Sequence, residues 1–290
     1  MRSDAWHLTE DLDDFLARAW DFLRSRPALH TTPLTAVEKL RTRGADAFGP
    51  GATVFGRLES GGEVRAVFLR PPTRRLTLTF LSPEQADSLA AHLAGLGRGP
   101  SGVLADQDTA TAFAEAWRRR TGAAPVRVWG ARLHRLGTLT PPEPVAAGRG
   151  RVVGEREHEQ LMRWCREFAA DVGETVTIDA ASWANTRFAE KRYTFWETPD
   201  GTPVSMAGSN PLVGGQVRID PVYTPARSRG HGYAGAVTAE VSRAARAAGA
   251  AEVVLFTDPA NLTSNALYRR LGYLPLADFT GYRFTREPCR

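Results

Sequence analysis

Cysteine is almost missing from this chain: two in 290 residues, Cys165 inside a helical pattern and Cys289 at the end of the sequence. They build neither a disulfide framework nor a metal site, so no metal is expected. Long apolar runs are missing too. No stretch approaches the roughly 20 residues that cross a bilayer. The opening Met1-Arg2-Ser3-Asp4-Ala5-Trp6 lacks the apolar centre of a signal peptide. The cytoplasm is the expected location, with no membrane contact. Basic residues outnumber acidic ones by 37 to 32, for a formal charge of +5, and almost all are arginine. No basic stripe interleaved with aromatics and no reader motif accompanies them, so nucleic acid is not an expected partner. A modestly basic surface instead draws in anionic ligands. With 42% hydrophobic and 24% charged residues the chain reads as globular, long enough for one large domain or two modest ones.

One short stretch carries most of the chemistry. Arg227-Ser228-Arg229-Gly230-His231-Gly232 lies between a β-like run, Gln216–Pro225, and a helical pattern in which Ala234, Val237, Val241 and Ala245 mark one face. Strand, glycine turn and helix start make a nest of unpaired N–H groups that suits an anion, a diphosphate above all. The glycines admit close backbone approach, and Arg227 and Arg229 add positive charge. Further along, Val253-Val254-Leu255-Phe256-Thr257-Asp258 reads as a buried strand ending at the turn Asp258-Pro259. A short helix follows, opened by Thr263 or Ser264 and stopped by Gly272 in the left-handed conformation.

Together these stretches resemble the central motifs of the GNAT superfamily of acyl-CoA-dependent N-acyltransferases. Arg227–Gly232 matches its Arg/Gln-x-x-Gly-x-Gly/Ala pyrophosphate loop. Val253–Tyr273 matches its strand, Asn, and helix ending in Tyr-x-x-Leu-Gly-Tyr/Phe. The resemblance covers residues 150–285.

A dense run of proline and glycine, Leu139–Gly150, reads as a linker. The segments before it are helices at Asp11–Ser25 and Thr35–Arg43, then strands at Thr53–Leu58, Val64–Leu69 and Leu76–Phe80. A helix Pro83–Gly95, a strand near Val103, a helix Thr109–Arg120 and strands Val126–Trp129 and Leu133–Leu136 complete them. Gly102–Asp106 followed by Ala112–Arg120 and Gly122 parallels Val253–Asp258 followed by Ala266–Arg270 and Gly272. The expected organisation is α/β (α+β), two tandem GNAT-like domains: 1–139, a linker 140–150, and 151–290. Each is a mixed, mostly antiparallel sheet flanked by helices, with a splayed parallel strand pair in the C-terminal one. The first domain lacks the phosphate nest: Leu81-Ser82-Pro83-Glu84 opens its helix, and Arg118 and Glu115 stand opposite Tyr268 and Asn265. The resemblance implies a working C-terminal domain beside a degenerate N-terminal one.

It further implies acetyl-CoA as acyl donor and a direct transfer to a primary amine of a small molecule in a ternary complex. Val222, Tyr223 and Thr224 stand where the family pairs with the pantetheine arm, and the Val222 amide is the donor to the acetyl carbonyl. Arg229, Gly230, His231 and Gly232 hold the pyrophosphate by their amides, with Tyr233 opening the helix behind them. Tyr268 is the proton donor to the CoA thiolate. Asn261 and Asn265 bond the pantetheine arm or nearby backbone, or serve as caps. No general base is assigned. Asp220, Glu197, Asp171 and Glu174 are the carboxylates in range, and His231 and His158 read as a loop and a helix-face residue. Trp164, Trp183, Tyr193, Phe195 and Trp196 are pocket or core aromatics, and 208–215 is a loop beside the active strand. Three alternatives stand: a non-catalytic CoA-binding regulatory module, a bulkier acyl-CoA, or a protein amine as acceptor. A Rossmann protein is excluded by the missing Gly-x-Gly-x-x-Gly and its acidic ribose partner. Monomer and homodimer remain equally open.

Overall fold

The computed structural model describes residues 4–72, 75–97 and 99–285. Cys289 lies outside them. The described residues fall into two compact units, Met1–Leu133 with Leu276–Arg290, and His134–Pro275.

In the first unit the order is β1 (Ala5–Thr9), α1 (Leu12–Ser25), α2 (Thr31–Arg43), β2 (Val54–Ser60), β3 (Glu63–Arg70), β4 (Leu76–Leu78), α3 (Pro83–Gly95), β5 (Gly102–Asp106), α4 (Gln107–Thr121) and most of β6 (Ala124–Leu136). Local chemistry sets the helix limits. Asp11 caps α1 by accepting from the amides of Asp13 and Asp14. Asp106 caps α4, and Gly122 ends it in the left-handed region. Ala110, Phe113, Ala114 and Trp117 form the buried stripe of α4, at helical spacing, against a core that includes Phe68, Leu89 and Val103. β4 and β5 are parallel, in register at Leu76–Val103 and Thr77–Leu104.

The second unit continues with β7 (Arg149–Val152), α5 (His158–Asp171), β8 (Arg192–Glu197), β9 (Pro203–Ser209), β10 (Gln216–Tyr223), α6 (Tyr233–Ala247), β11 (Glu252–Thr257), α7 (Leu262–Arg270) and the start of β12 (Tyr273–Thr285). Its strands lie in the order β11-β10-β9-β8-β7, with β6 beside β11. β7 to β10 are antiparallel neighbours, whereas β10 and β11 run parallel. Each face of this sheet carries its own core. Val217, Ile219 and Leu255 pack with Val237 and Val241 of α6 and with Tyr268. Trp164 and Cys165 of α5 pack with Tyr193, Phe195, Met206 and Tyr223.

Most elements start and stop close to where the sequence pattern puts them. Three features differ. β1 has no strong alternating signal in the sequence. β6 is one strand rather than two. β12 begins in the second unit, but its residues Phe279–Arg283 pair antiparallel with Asp106–Gly102 of β5, inside the first. Strand pairing that remote in sequence leaves no local trace. The Pro/Gly-rich stretch 139–150 packs within the second unit and ends in β7. The Thr140 amide bonds the Leu271 carbonyl at 3.1 Å, and the Trp196 indole bonds the Ala147 carbonyl at 3.3 Å.

Gly272 closes α7 at φ +92°, and a Cβ there would lie 1.9 Å from the Thr138 carbonyl oxygen. Gly272→Ala therefore meets both an unfavourable backbone region and a hard backbone clash. Loss of about 2 kcal/mol or more in denaturant unfolding is expected.

Candidate active site

The centre of the second unit is a parting of strands. β10 pairs with β11 at Gln216–Glu252, Val217–Val253 and Arg218–Val254, and at no later residue. On the other side β10 stays with β9 but shifts register between Ile219 and Val222. The peptide Asp220–Pro221, which is cis, lies within this shift. Gly208 faces it from β9, where a Cβ would come within 2.8 Å of both the Asp220 carbonyl and the Tyr193 ring. Such a bulge swings the strand away from its parallel neighbour and opens one of its edges. Val222, Tyr223 and Thr224 lie past the last β11 pair. Ser205 of β9 braces them, donating to the Tyr223 carbonyl at 3.1 Å and meeting the Thr224 hydroxyl at 2.8 Å.

After β10 the chain makes a short turn at Ala226–Ser228 and enters α6 through two glycines at positive φ, Gly230 at +84° and Gly232 at +79°. Gly232 is the N-cap, and no side chain caps the helix. The first intrahelical bond is Ala236 to Gly232, so the amides of Tyr233, Ala234 and Gly235 have no backbone acceptor among the described residues. Gly230, His231 and Gly232 add three more. A Cβ on Gly230 would meet nothing within 4 Å. Two expected contributors are placed differently. The Arg229 amide donates to the Ala226 carbonyl at 3.3 Å. Its guanidinium bonds the Thr224 carbonyl at 3.0 Å and Asp171 at 2.6 Å. Arg229 thus ties the loop to the end of α5 instead of facing the nest, whereas Arg227 is exposed. His231 lies flat on Tyr233, with ring centroids 5.6 Å apart.

The turn after β11 is a closed network. Asn261, not Thr263 or Ser264, caps α7 by accepting from the Ser264 amide at 3.0 Å. Asn265 donates to the carbonyls of Asp258 and Asn261 and accepts from the Thr257 hydroxyl at 2.7 Å. Both asparagines are thus engaged with this turn. Tyr268 is buried against Tyr273, the rings edge-on at 6.0 Å. Its hydroxyl has no hydrogen-bond partner among the described residues. Burial raises its pKa well above the usual phenol range, so the side chain is a proton carrier at neutral pH.

On the α5 face the charges are paired. Asp220 accepts from Lys191 at 2.8 Å and from Arg187 at 2.5 Å. Arg187 also grips Glu174 through two bonds of 3.0 and 2.8 Å and covers the Phe188 ring. Asp220 is desolvated, yet these cations hold its carboxyl well below the usual range. Lys191, one of only two lysines in the chain, is pushed by burial down to about 8. Glu197 is buried and bonds Arg151 at 2.7 Å, and Asp171 bonds Arg229. All four carboxylates considered as bases are therefore held in ion pairs. Glu167, unremarked in the sequence, accepts from the Tyr223 hydroxyl at 2.8 Å, and Tyr223 is raised by burial and then by that bond to about 12. The aromatics Trp164, Tyr193, Phe195 and Trp196 are core residues, and only Trp183 is partly exposed, edge-on to His158. Cys165 is buried with its thiol pushed up to about 12, chiefly by desolvation, and is inert.

The corresponding turn of the first unit has different chemistry. Ser82 and Gln85 cap α3 reciprocally, each side chain bonding the other's amide, and Glu84 sits in the first turn. Beyond the paired ends of β4 and β5 lies a cavity of about 360 Å³. Arg26, His30, Phe80, Asp106, Asp108 and Asp278 are among its lining residues. Ser82 and Gln85 thus satisfy donors at the start of α3 from within, and carboxylates outnumber cations among the residues lining the cavity.

Residues 158–273 match the model of the acetyltransferase (GNAT) family. No curated protein matches the sequence. Among solved structures, the fold is similar to a GCN5-related N-acetyltransferase from Sphaerobacter thermophilus. That likeness has 18% identity, 99% of this chain, 97% of that one and a TM-score of 0.60. It is also similar to a tandem GNAT protein from the clavulanic acid biosynthesis pathway, at 13% identity, 99% and 100% coverage and a TM-score of 0.56. A Drosophila protein aligns at 12% identity, 98% and 99% coverage and a TM-score of 0.64. Residues 158–273 are thus similar to the acetyltransferase (GNAT) family, and the fold is like that of solved GNAT structures, a tandem one among them. No helix among the described residues is long and apolar enough to cross a membrane.

The Asp220 cluster is a stability element with a definite pH sign. Asp220→Asn leaves Lys191 and Arg187 facing a neutral group, for an expected loss of about 3 kcal/mol in denaturant unfolding. Because the folded pKa of Asp220 is depressed, its contribution is present above the ordinary Asp value of about 3.9 and fades below it. The gap in Tm between wild type and Asp220→Asn should therefore narrow on acidification through that range.

Proposed function

We propose that the second unit transfers the acetyl group of acetyl-CoA to a primary amine of a small molecule by direct attack in a ternary complex. The observation that carries this reading is the uncapped start of α6. Two positive-φ glycines turn a row of amides outward beside a strand that has left its parallel partner. Gly230, His231, Gly232 and Tyr233 bind the pyrophosphate by their amides, and the α6 dipole adds to that attraction. Val222, Tyr223 and Thr224 take the pantetheine arm along the edge freed from β11, and the Val222 amide donates to the thioester carbonyl.

The amine sheds one proton to water before attack, because Asp220, Glu197, Asp171 and Glu174 are bound by cations and Glu167 accepts from the Tyr223 hydroxyl. The nitrogen then forms a bond to the acetyl carbon and the carbon–sulfur bond breaks. Tyr268 gives its hydroxyl proton to the departing thiolate and recovers one from the new amide nitrogen. Products are the amide, free CoA and one released proton. The first unit supports the second and binds no acyl-CoA. A non-catalytic CoA-binding module is the second reading, favoured by the ion pairs that hold all four carboxylates considered as bases. The acceptor screen therefore includes protein amines, and the donor screen bulkier acyl-CoAs.

Calorimetric titration of acetyl-CoA should give one site per chain. Gly230→Glu should remove it, whereas Gly230→Ala, with open space around the new methyl, should keep it at a cost of about 1 kcal/mol in stability. A folded Gly230→Glu protein with normal affinity would exclude the nest. Two sites would give the first unit a function of its own. Tyr268→Phe should lower kcat by roughly tenfold to a hundredfold and leave acetyl-CoA affinity unchanged. Equal kcat in the two proteins would exclude Tyr268 as the proton donor and leave it a packing role.

A further inference from the structure

The charges around Asp220 do not balance. Along β10 the side chains alternate: Val217 and Ile219 enter the core beneath α6, and Arg218 and Asp220 take the other face. There Arg187 is bound by Glu174 and Asp220, and Lys191 by Asp220 and the Asn210 side chain at 3.1 Å. Arg218 belongs to the same electrostatic group, but its side chain forms no hydrogen bond or ion pair among the described residues. Burial draws its pKa down, and Asp220, its one anionic neighbour, draws it back. Three cations thus share two carboxylates, leaving one guanidinium, partly exposed, with five donors and no acceptor. An uncompensated charge in such surroundings is costly and is a mark of a ligand site.

Position decides which ligand. Arg218 precedes Val222 by four residues, so at roughly 3.3 Å per residue their Cα atoms are at most about 13 Å apart along β10. The nest at Gly230–Gly232 is beyond the far end of the strand. That nest has its own row of outward amides for a CoA diphosphate, so the missing anion is assigned to a different molecule or to the other side of the reaction. The planar guanidinium matches a carboxylate by two parallel bonds.

We infer that Arg218 binds a carboxylate on the acceptor, so that the substrate is an amine that also carries an acid group at some distance from its nitrogen. This rests on the acyltransferase reading above, and its test separates the two. The probes are ω-amino acids from glycine to 6-aminohexanoate, each beside its carboxamide, titrated calorimetrically into the protein with and without saturating CoA and then assayed with acetyl-CoA.

Wild type should favour at least one free acid over its amide by about tenfold or more in affinity and in kcat/KM. Arg218→Gln should erase that preference through KM, with acetyl-CoA affinity and kcat unchanged, and Arg218→Lys should restore part of it. Equal binding of acids and amides by wild type, or an acid preference that survives in folded Arg218→Gln, overturns the inference. Acid binding that depends on Arg218 in a protein that binds no CoA keeps the anion site and removes the acyltransferase reading. Binding of CoA with no acid preference does the reverse.

Discussion

Everything at the candidate active site depends on β10 leaving β11 after Arg218. A parallel pair inside a sheet would ordinarily continue its ladder, since unpaired backbone groups cost free energy. Here the shift at Ile219–Val222 keeps β10 bonded to β9 while turning its other edge away from β11. The edge so exposed has strand geometry without a strand to pair with, which is the shape an extended amide-bearing ligand fills. Gly208 makes the shift possible, because no larger residue fits against the Asp220 carbonyl at that point.

The same strand divides two environments. Its inward face toward α6 is apolar and tightly packed by small residues such as Ala236 and Val237. Its other face holds Arg218 and Asp220 among groups from the segment before β8, tens of residues earlier in the chain. Charges at such a place fix the position of the loop around Arg187 and Lys191 only because they are paired and bonded. The one that is not paired, Arg218, therefore has a different standing from its neighbours.

The contrast between α3 and α6 is one of capping. Both helices follow a strand that has a parallel partner, and both begin with exposed N–H groups. Ser82 and Gln85 satisfy those of α3 from within, and Glu84 adds a negative charge. Glycines satisfy nothing, so the start of α6 stays open. A few side chains at one turn decide whether the first amides of a helix are bonded from within or left open.

Much of this was legible in the sequence. The glycine turn Gly230-His231-Gly232, the helical stripe behind it, and the stop at Gly272 are local features, dictated by φ preferences and residue spacing, and the structure has them where the pattern puts them. The sequence marks Asn261 and Asn265 as ligands of the pantetheine arm or nearby backbone, or as caps, and which groups of the turn they bond depends on how it closes. Four contributors had no signal: the Arg187–Lys191–Arg218–Asp220 charge group, the Ser205 brace, the Glu167–Tyr223 bond, and the pairing of β12 with β5. Each joins residues distant in the chain, and side-chain type alone does not say which of many arginines meets which carboxylate. Local backbone chemistry was determined by the sequence by itself. Which charges are neutralised, which strand edge is left unpaired and which tyrosine is buried were decided only by the tertiary structure, because burial and pairing exist only once the chain is folded.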